Sequence, residues 1–373
     1  MIMTALIISP QPWEHLQISK HHYARELAGC GVEVYFLDPP SSGVSGLCIV
    51  DSGVPNLKVV RYPAPCYQRL RFHSRPVYDL LERGLVRRIR QAIGKPLDLV
   101  WSFDFNLFVK LRAFRGQWTI FHPVDPLCGS HHYRAAAAAD IVLSVSESIL
   151  APLRDVMAAA HVVPHGVAPA FASLAATNEA WHLPADGIKV GYTGNLTRAF
   201  IATDVILELA RTHPEISFYF WGNTSGSPGS CEAAAFLRVL DALPNCHLRG
   251  ALGTDELADE MKEMDAFLLA YRTHPTESDL SNSHKLLEYL STGRVVIASP
   301  LSEYAGAPPD VIRFAVDNDI PSFQTAFGDM LSRLEELNSA ALVRARRDIA
   351  LANTYRHHWQ CIHALLMEVK PRI

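Results

Sequence analysis

Lys285 and Glu288 stand three residues apart in the stretch Ser281–Ser299, SNSHKLLEYLSTGRVVIAS. On a helix that spacing sets an ammonium and a carboxylate one turn apart on the same side. The polar loop RTHPTESDLSN precedes them, and Gly293 and the apolar run RVVIAS follow. The pattern therefore predicts a helix that opens beside a loop and stops at a glycine before a buried strand. Backbone N–H groups at Ser283 and His284, the positive helix end and Lys285 then make a site for a diphosphate. Glu288, one turn deeper, is placed to accept hydrogen bonds from a ribose diol. At about 100° per residue, Lys285, Glu288, Tyr289 and Thr292 share a polar face, and Leu286, Leu287 and Leu290 an apolar one. The same residues also fit a plain Ser283 cap and an exposed ion pair, worth about 0.2–0.5 kcal/mol.

Other chemistry-bearing residues follow apolar runs. Asp104 in VWSFDFN and Asp125 in FHPVDPLCGSHHY each end a strand-like segment, where a carboxylate can take a proton from a substrate hydroxyl or cap the next turn. Asp125 is the first candidate and Asp104 its rival. Near the start, PQPWEHLQ and SKHHY carry Trp13, Glu14 and Lys20; Trp13 is read either as a stacking face or as a packing residue. Lys20, His21 and His22 read as the start of an amphipathic helix. His122, Cys128, His131 and His132 cluster, but their spacing matches no structural zinc pattern, and no metal is assigned. Between Arg61 and Arg90 arginines far outnumber acids, with tyrosines, Phe72 and leucines interleaved. Arg87, Arg88 and Arg90 are read either as an attachment to anionic lipid at the inner face of a membrane or as a solvated helix face.

The elements that must position these groups are those of a globular chain of 373 residues, with 49% apolar and 19% charged residues and a net charge of −4. That length suggests two domains, and that balance is neither a disordered tail nor a nucleic-acid coat. Seven cysteines without a CxxC pair read as a reduced, cytoplasmic chain, and no apolar run is long enough to span a membrane. Short apolar runs alternate with helical patterns: TALIIS, VEVYFLDPP, LKVVRY, LDLVWSF, WTIFHP and DIVLSVS, and then IKVGYTG, ISFYFWG, CHLRG, DAFLLAY, RVVIAS and VIRFAV. This predicts an α/β fold of two doubly wound, Rossmann-like units facing a cleft: residues 1–170, a linker at 171–186, and 187–354. No GxGxxG fingerprint supports a dinucleotide dehydrogenase.

The order of these segments resembles the GT-B glycosyltransferases, in particular the family 4 type. The carriers are Lys-x-x-Glu followed by a helix end, a glycine and a Val-Val strand; IKVGYTGNL with its glycine loop; FYFWGN; CHLRGAL; VVPHGV; and TYRHHWQCIHALLMEV. The resemblance implies that Gly194, Asn195 and Arg198 face the donor diphosphate and that backbone near Leu252 meets the base. It also implies that residues 1–170 form the acceptor side, met through the loop of Trp13, Glu14 and Lys20, that 187–354 form the donor side, and that a last helix, residues 355–373, crosses back to the first domain. Three departures stand out. Leu280 occupies the place of the family's first glutamate, Asn195 that of an arginine, a role Arg198 can take, and the family's lysine position falls near Ala202. Lys-x-x-Glu with HPVDP looks closer to the xanthan-type glucuronosyltransferases and the teichuronic-acid glycosyltransferases. The implied activity is metal-independent transfer of a sugar from a nucleotide donor, a UDP-sugar, to a glycan or lipid-linked acceptor of a bacterial surface polysaccharide, with no further cofactor and no nucleic-acid partner. A nucleotide-sugar epimerase and a catalytically inactive nucleotide-sugar-binding subunit are the alternatives.

Overall fold

Strands that are apolar on both sides need cover on both faces, and the fold supplies it twice. The computed structural model describes residues 2–15, 17–104, 106–125, 131–157, 159–224, 231–272 and 284–369. Ser283 and Cys128, both named above, lie outside them. The chain divides into two units: everything up to Pro164 together with the last helix, from Tyr355 on, and His165–Thr354.

The first unit is an eight-stranded sheet built from β1 (Thr4–Ile8), β2 (Glu33–Leu37), β3 (Cys48–Asp51), β4 (Leu57–Arg61), β5 (Leu99–Ser102), β6 (Trp118–Phe121), β7 (Ile141–Ser144) and β8 (Ala160–Val162). Its order is β3-β4-β2-β1-β5-β6-β7-β8, parallel throughout except for the β3–β4 edge. Side chains alternate across it. Val34, Phe36, Trp101 and Ile120 pack under the helix Ser19–Gly29 and the helix Tyr355–Val369, which contributes Trp359, Ile362 and Leu366. Leu6, Tyr35, Val100 and Phe121 pack on the opposite face with Val86, Ile89 and Ile93 of the helix Arg75–Ile93. The last helix is tied in by Trp118 Nε1, which donates to Leu366 O at 3.2 Å.

The second unit holds a six-stranded, wholly parallel sheet of β9 (Lys189–Thr193), β10 (Ser217–Trp221), β11 (Cys246–Gly250), β12 (Ala266–Leu269), β13 (Val295–Ala298) and β14 (Arg313–Phe314), in the order β11-β10-β9-β12-β13-β14. Val190, Phe218, Leu268 and Ile297 face the helix Thr203–Thr212 and the helix Ile320–Ser332. Phe267, Leu269 and Val296 face the helix His284–Thr292.

In each sheet the chain reverses its direction of travel across the strands once, between β1 and β5 and between β9 and β12. Such reversals leave a crevice beyond the carboxyl ends of the two central strands, where the flanking connections diverge. The residues around these two places decide what the protein can bind.

The segment expected as a linker, 171–186, begins within a helix. The helix Pro169–Ala175 buries Phe171 and Leu174 in the second unit. Beyond it, Trp181 Nε1 donates to Asp265 Oδ1 at 2.8 Å, and Arg347 Nη1 donates to the carbonyls of Thr177 and Glu179. A tryptophan and a buried arginine thus pin this polar segment to its neighbours.

Candidate functional site

Beyond β9 and β12 the backbone comes unusually close to itself. Gly194 and Gly222, which follow β9 and β10, have φ of 146° and 140°, a region side chains rarely adopt. A Cβ on Gly222 would lie 1.7 Å from Gly194 O, and one on Gly194 would lie 2.5 Å from Lys285 Nζ. The two bare positions thus let the Lys285 side chain lie directly over the backbone that ends β9. Its ammonium donates to Tyr271 Oη at 3.3 Å, and Tyr271 follows β12. The crevice therefore has a cation at its floor, held between the ends of its two central strands.

The helix His284–Thr292 delivers that cation because Leu286, Leu287 and Leu290 are buried against the sheet. The predicted polar face is narrower than expected. Tyr289 and Thr292 are buried: the Tyr289 ring stacks on Phe267 with centroids 4.5 Å apart, and its hydroxyl accepts from Thr193 N at 2.8 Å. Thr292 turns its hydroxyl back onto Tyr289 O at 2.7 Å. Only His284, Lys285 and Glu288 keep access to solvent. Burial pushes the Glu288 carboxyl up to about 7 against the pull of Lys285, so near neutral pH it is divided between donor and acceptor forms.

The remaining donor-side residues divide in two. Asn195 is occupied, its Oδ1 accepting from Thr197 N at 3.0 Å and Thr197 Oγ1 at 2.7 Å, a local turn rather than a ligand contact. Arg198 is exposed and forms no ion pair among the described residues, which leaves it as the available second cation. Leu252 is half-buried in the connection after β11, and His284 lies 5.8 Å from the His165 ring. Tyr271, which contacts Lys285, was not singled out in the sequence; its only signal was its place as the last residue of DAFLLAY. Arg272 beside it is spent on Thr203 Oγ1 at 2.8 Å and Glu232 Oε1 at 2.7 Å.

The first unit places Lys20, Asp104 and Asp125 around the carboxyl ends of β1, β5 and β6. Lys20 is 1% exposed, an internal cation rather than an acceptor contact at the surface, and it donates to Gln11 Oε1. Burial lowers its pKa from 10.5 to about 8, opposed by the nearby Asp125 and Asp104. Its neighbours His21 and His22 are buried too, stacked on Phe36 and Tyr355.

Asp104 is buried, and both its oxygens are taken, Oδ1 by Asn106 N at 2.8 Å and Oδ2 by Leu107 N at 3.1 Å. Burial raises its pKa despite those donors. It is a loop-forming residue. Asp125, in contrast, is exposed and has no hydrogen bond among the described residues.

Trp13 does not present a sugar-stacking face. It is 6% exposed and packed edge-on against Phe36, with its N–H on Asp38 Oδ1 at 2.8 Å and its indole N–H on Ser52 O at 3.3 Å. Glu14 is paired with Arg61. Among the described residues no three histidines, cysteines or acids gather as a metal site.

No family model matches the chain, and no curated protein matches it. Solved structures do match in fold. A glycosyltransferase from Rickettsia africae is 12% identical, with all of both chains covered and a TM-score of 0.73. Sucrose-phosphate synthase from Thermosynechococcus elongatus is 14% identical over 98% of this chain and 99% of that one, with a TM-score of 0.69. HepE from Anabaena, solved in complex with UDP and glucose, is 13% identical over 97% and 99%, with a TM-score of 0.64.

Two substitutions test the geometry. Gly222→Ala is expected to destabilise the protein by about 2–5 kcal/mol in urea unfolding, because neither the φ nor the Gly194 carbonyl leaves room for a methyl group. An unchanged midpoint would mean that the two loops move apart freely. The second concerns Lys20. Because its folded pKa lies below its unfolded value, the folded protein binds fewer protons than the unfolded one between about pH 8 and 10.5, and wild-type stability gains from this group as pH rises through that window. Lys20→Met removes that gain, so the variant's stability relative to wild type should fall as pH rises; parallel melting curves would show an ordinary lysine. At these identities the comparisons establish the fold, which is GT-B, two parallel Rossmann-like sheets.

Proposed function

We propose that the protein is a glycosyltransferase that moves a sugar from a nucleoside-diphosphate donor, a UDP-sugar, to a hydroxyl of a glycan or lipid-linked acceptor in bacterial surface polysaccharide synthesis. The observation that carries this reading is Lys285 lying over the bare Gly194 backbone in the crevice beyond β9 and β12, with Glu288 one turn along the helix. A diphosphate needs concentrated positive charge and close backbone approach, and this place offers both. Glu288, in its ionised form, accepts from a ribose diol. The uridine base is supported by analogy: the HepE structure contains UDP and glucose, and an E. coli trehalose-6-phosphate enzyme of 14% identity, with 99% of each chain covered and a TM-score of 0.65, was solved with UDP-2-fluoro glucose.

In this reading the acceptor hydroxyl oxygen forms a bond to the anomeric carbon as the bond from that carbon to the diphosphate breaks. The electron pair leaves with UDP, and Lys285 and Arg198 meet the charge that develops there. The hydroxyl proton goes to a carboxylate of the first unit. Asp125 is the better candidate, since its carboxylate is exposed and holds no hydrogen bond among the described residues, while both oxygens of Asp104 already hold backbone N–H groups. Lys20 is close enough to both carboxylates for each to favour the charged form of the lysine.

A binding protein without transfer activity is the second reading, favoured by the use of Asn195 in its own turn where the resembling family carries an arginine. Product analysis separates it, and the epimerase reading, from transfer.

Calorimetry with UDP is expected to show Lys285→Ala weakening binding more than tenfold, a loss of over about 1.4 kcal/mol; unchanged affinity would remove the diphosphate from this crevice. Asp125→Asn should leave UDP affinity intact and lower transfer by about 10²–10⁴-fold. If transfer persists in that variant and disappears in Asp104→Asn, the base is Asp104.

A further inference from the structure

The first half of the helix Arg75–Ile93 buries two acids and turns apolar residues outward. Asp79 and Glu82 are buried beneath it, and Asp79 receives Arg75 Nε at 2.8 Å, Lys110 Nζ at 3.0 Å and Arg134 Nη2 at 2.5 Å. On the outward side Val77, Leu80 and Leu81 are 47%, 63% and 40% exposed, and Phe72, in the short helix just before, is 69% exposed. Four of the eleven exposed large apolar side chains among the described residues thus fall within ten residues of sequence, a concentration that single scattered apolar residues do not produce. Successive turns of the same outward face bring Gly84 and then Arg87 and Arg88, both exposed, with Arg83 at its flank. None of these three arginines is in an ion pair among the described residues, and Arg90 is half-buried.

We propose that this face, from Phe72 to Arg88, docks on the surface of an anionic lipid bilayer. Phe72, Val77, Leu80 and Leu81 enter the boundary between headgroups and acyl chains, and Arg83, Arg87 and Arg88 pair with lipid phosphates. The charge pattern selects this occupant. A second copy of the chain would set the same arginines against one another, and a nucleic acid would give the apolar turns nothing to enter. No helix among the described residues is long and apolar enough to cross a membrane, so the contact is peripheral.

The surface is also joined to the carboxyl edge of β5. Arg75 Nη1 and Nη2 donate to the carbonyls of Asn106 and Leu107, each at 2.9 Å, and Asp104 accepts the N–H groups of the same two residues. One turn of chain therefore fixes the start of the docking helix to the edge that carries the candidate carboxylates. A lipid-linked acceptor held in the same bilayer would arrive beside that edge. This last consequence rests on the proposed transfer reaction, whereas the docking itself does not.

The test is sedimentation of the full chain with vesicles of phosphatidylcholine alone and of phosphatidylcholine with phosphatidylglycerol, over a range of salt. Binding is expected only to the anionic vesicles, weakening as salt rises. It should fall at least tenfold in Arg87→Glu/Arg88→Glu and again in Leu80→Ser/Leu81→Ser, with UDP affinity unchanged in both. These residues are exposed, and an unchanged circular dichroism spectrum confirms that the variants are folded. Equal binding to both vesicle types, no binding by wild type, or binding indifferent to both double variants would overturn the proposal. So would dimers of wild type in analytical ultracentrifugation that Leu80→Ser/Leu81→Ser dissolves, since the face would then belong to a second copy. Loss of UDP binding with vesicle binding retained would count against the transfer reading and leave the docking surface standing.

Discussion

Where β9 and β10 end there is space for backbone and nothing else. The carbonyl of Gly194 occupies the volume that any side chain at position 222 would need, and the ammonium of Lys285 occupies the volume of a side chain at 194. Two glycines with φ near 140° therefore permit one lysine to lie on a strand end. Everything proposed for the second unit depends on that stacking. Without it the lysine would stand off in solvent, and the helix His284–Thr292 would present an ordinary surface cation. The core enforces the placement: Leu286, Leu287 and Leu290 dock the helix, and the Tyr289 hydroxyl, bonded to Thr193 N, ties its middle to the same strand end. The polar residues of this helix thus serve two ends, one holding the site together and one left for a ligand.

The first unit solves a different electrostatic problem. A lysine with almost no exposure lies close to two carboxylates, one internal and one open to water. Its depressed pKa records the cost of desolvation; the carboxylates offset part of that cost without removing it. The internal carboxylate is consumed in shaping the chain after β5, and that turn is gripped from its other side by Arg75. Charge in this unit is thereby used first for architecture. Among the described residues Asp125 holds no hydrogen bond, which is why it and not Asp104 is proposed to take the proton.

The two-fold alternation of apolar runs and helical patterns was legible because strands buried on both faces are apolar throughout, and the strand order then follows the doubly wound pattern. The two strands without a sequence signal explain themselves: β3 is a half-exposed antiparallel edge, and β8 has only three residues, Ala160–Val162. Lys285 and Glu288 could be placed on one helix face because their relation is local. Tyr289 could not be placed, since its partner Thr193 is 96 residues away. The two readings of Trp13 stayed open for the same reason, as its burial depends on Asp38 and Ser52, which no local pattern brings near. The outward apolar turn at Val77–Leu81 was hidden because the inward face of that helix carries the acids. Amphipathic periodicity identified the helix and could not say which side was wet.

The proposed place of a nucleoside diphosphate is beyond β9 and β12, on Gly194 and Lys285. Hydrogen–deuterium exchange with and without saturating UDP tests it most directly, because it reports where binding protects the backbone. A diphosphate bound there slows exchange in Thr193–Leu196 and in the first turn of the helix that begins at His284, with the first unit's sheet unchanged. Protection confined to other segments, or none at a UDP concentration where calorimetry detects binding, would contradict it.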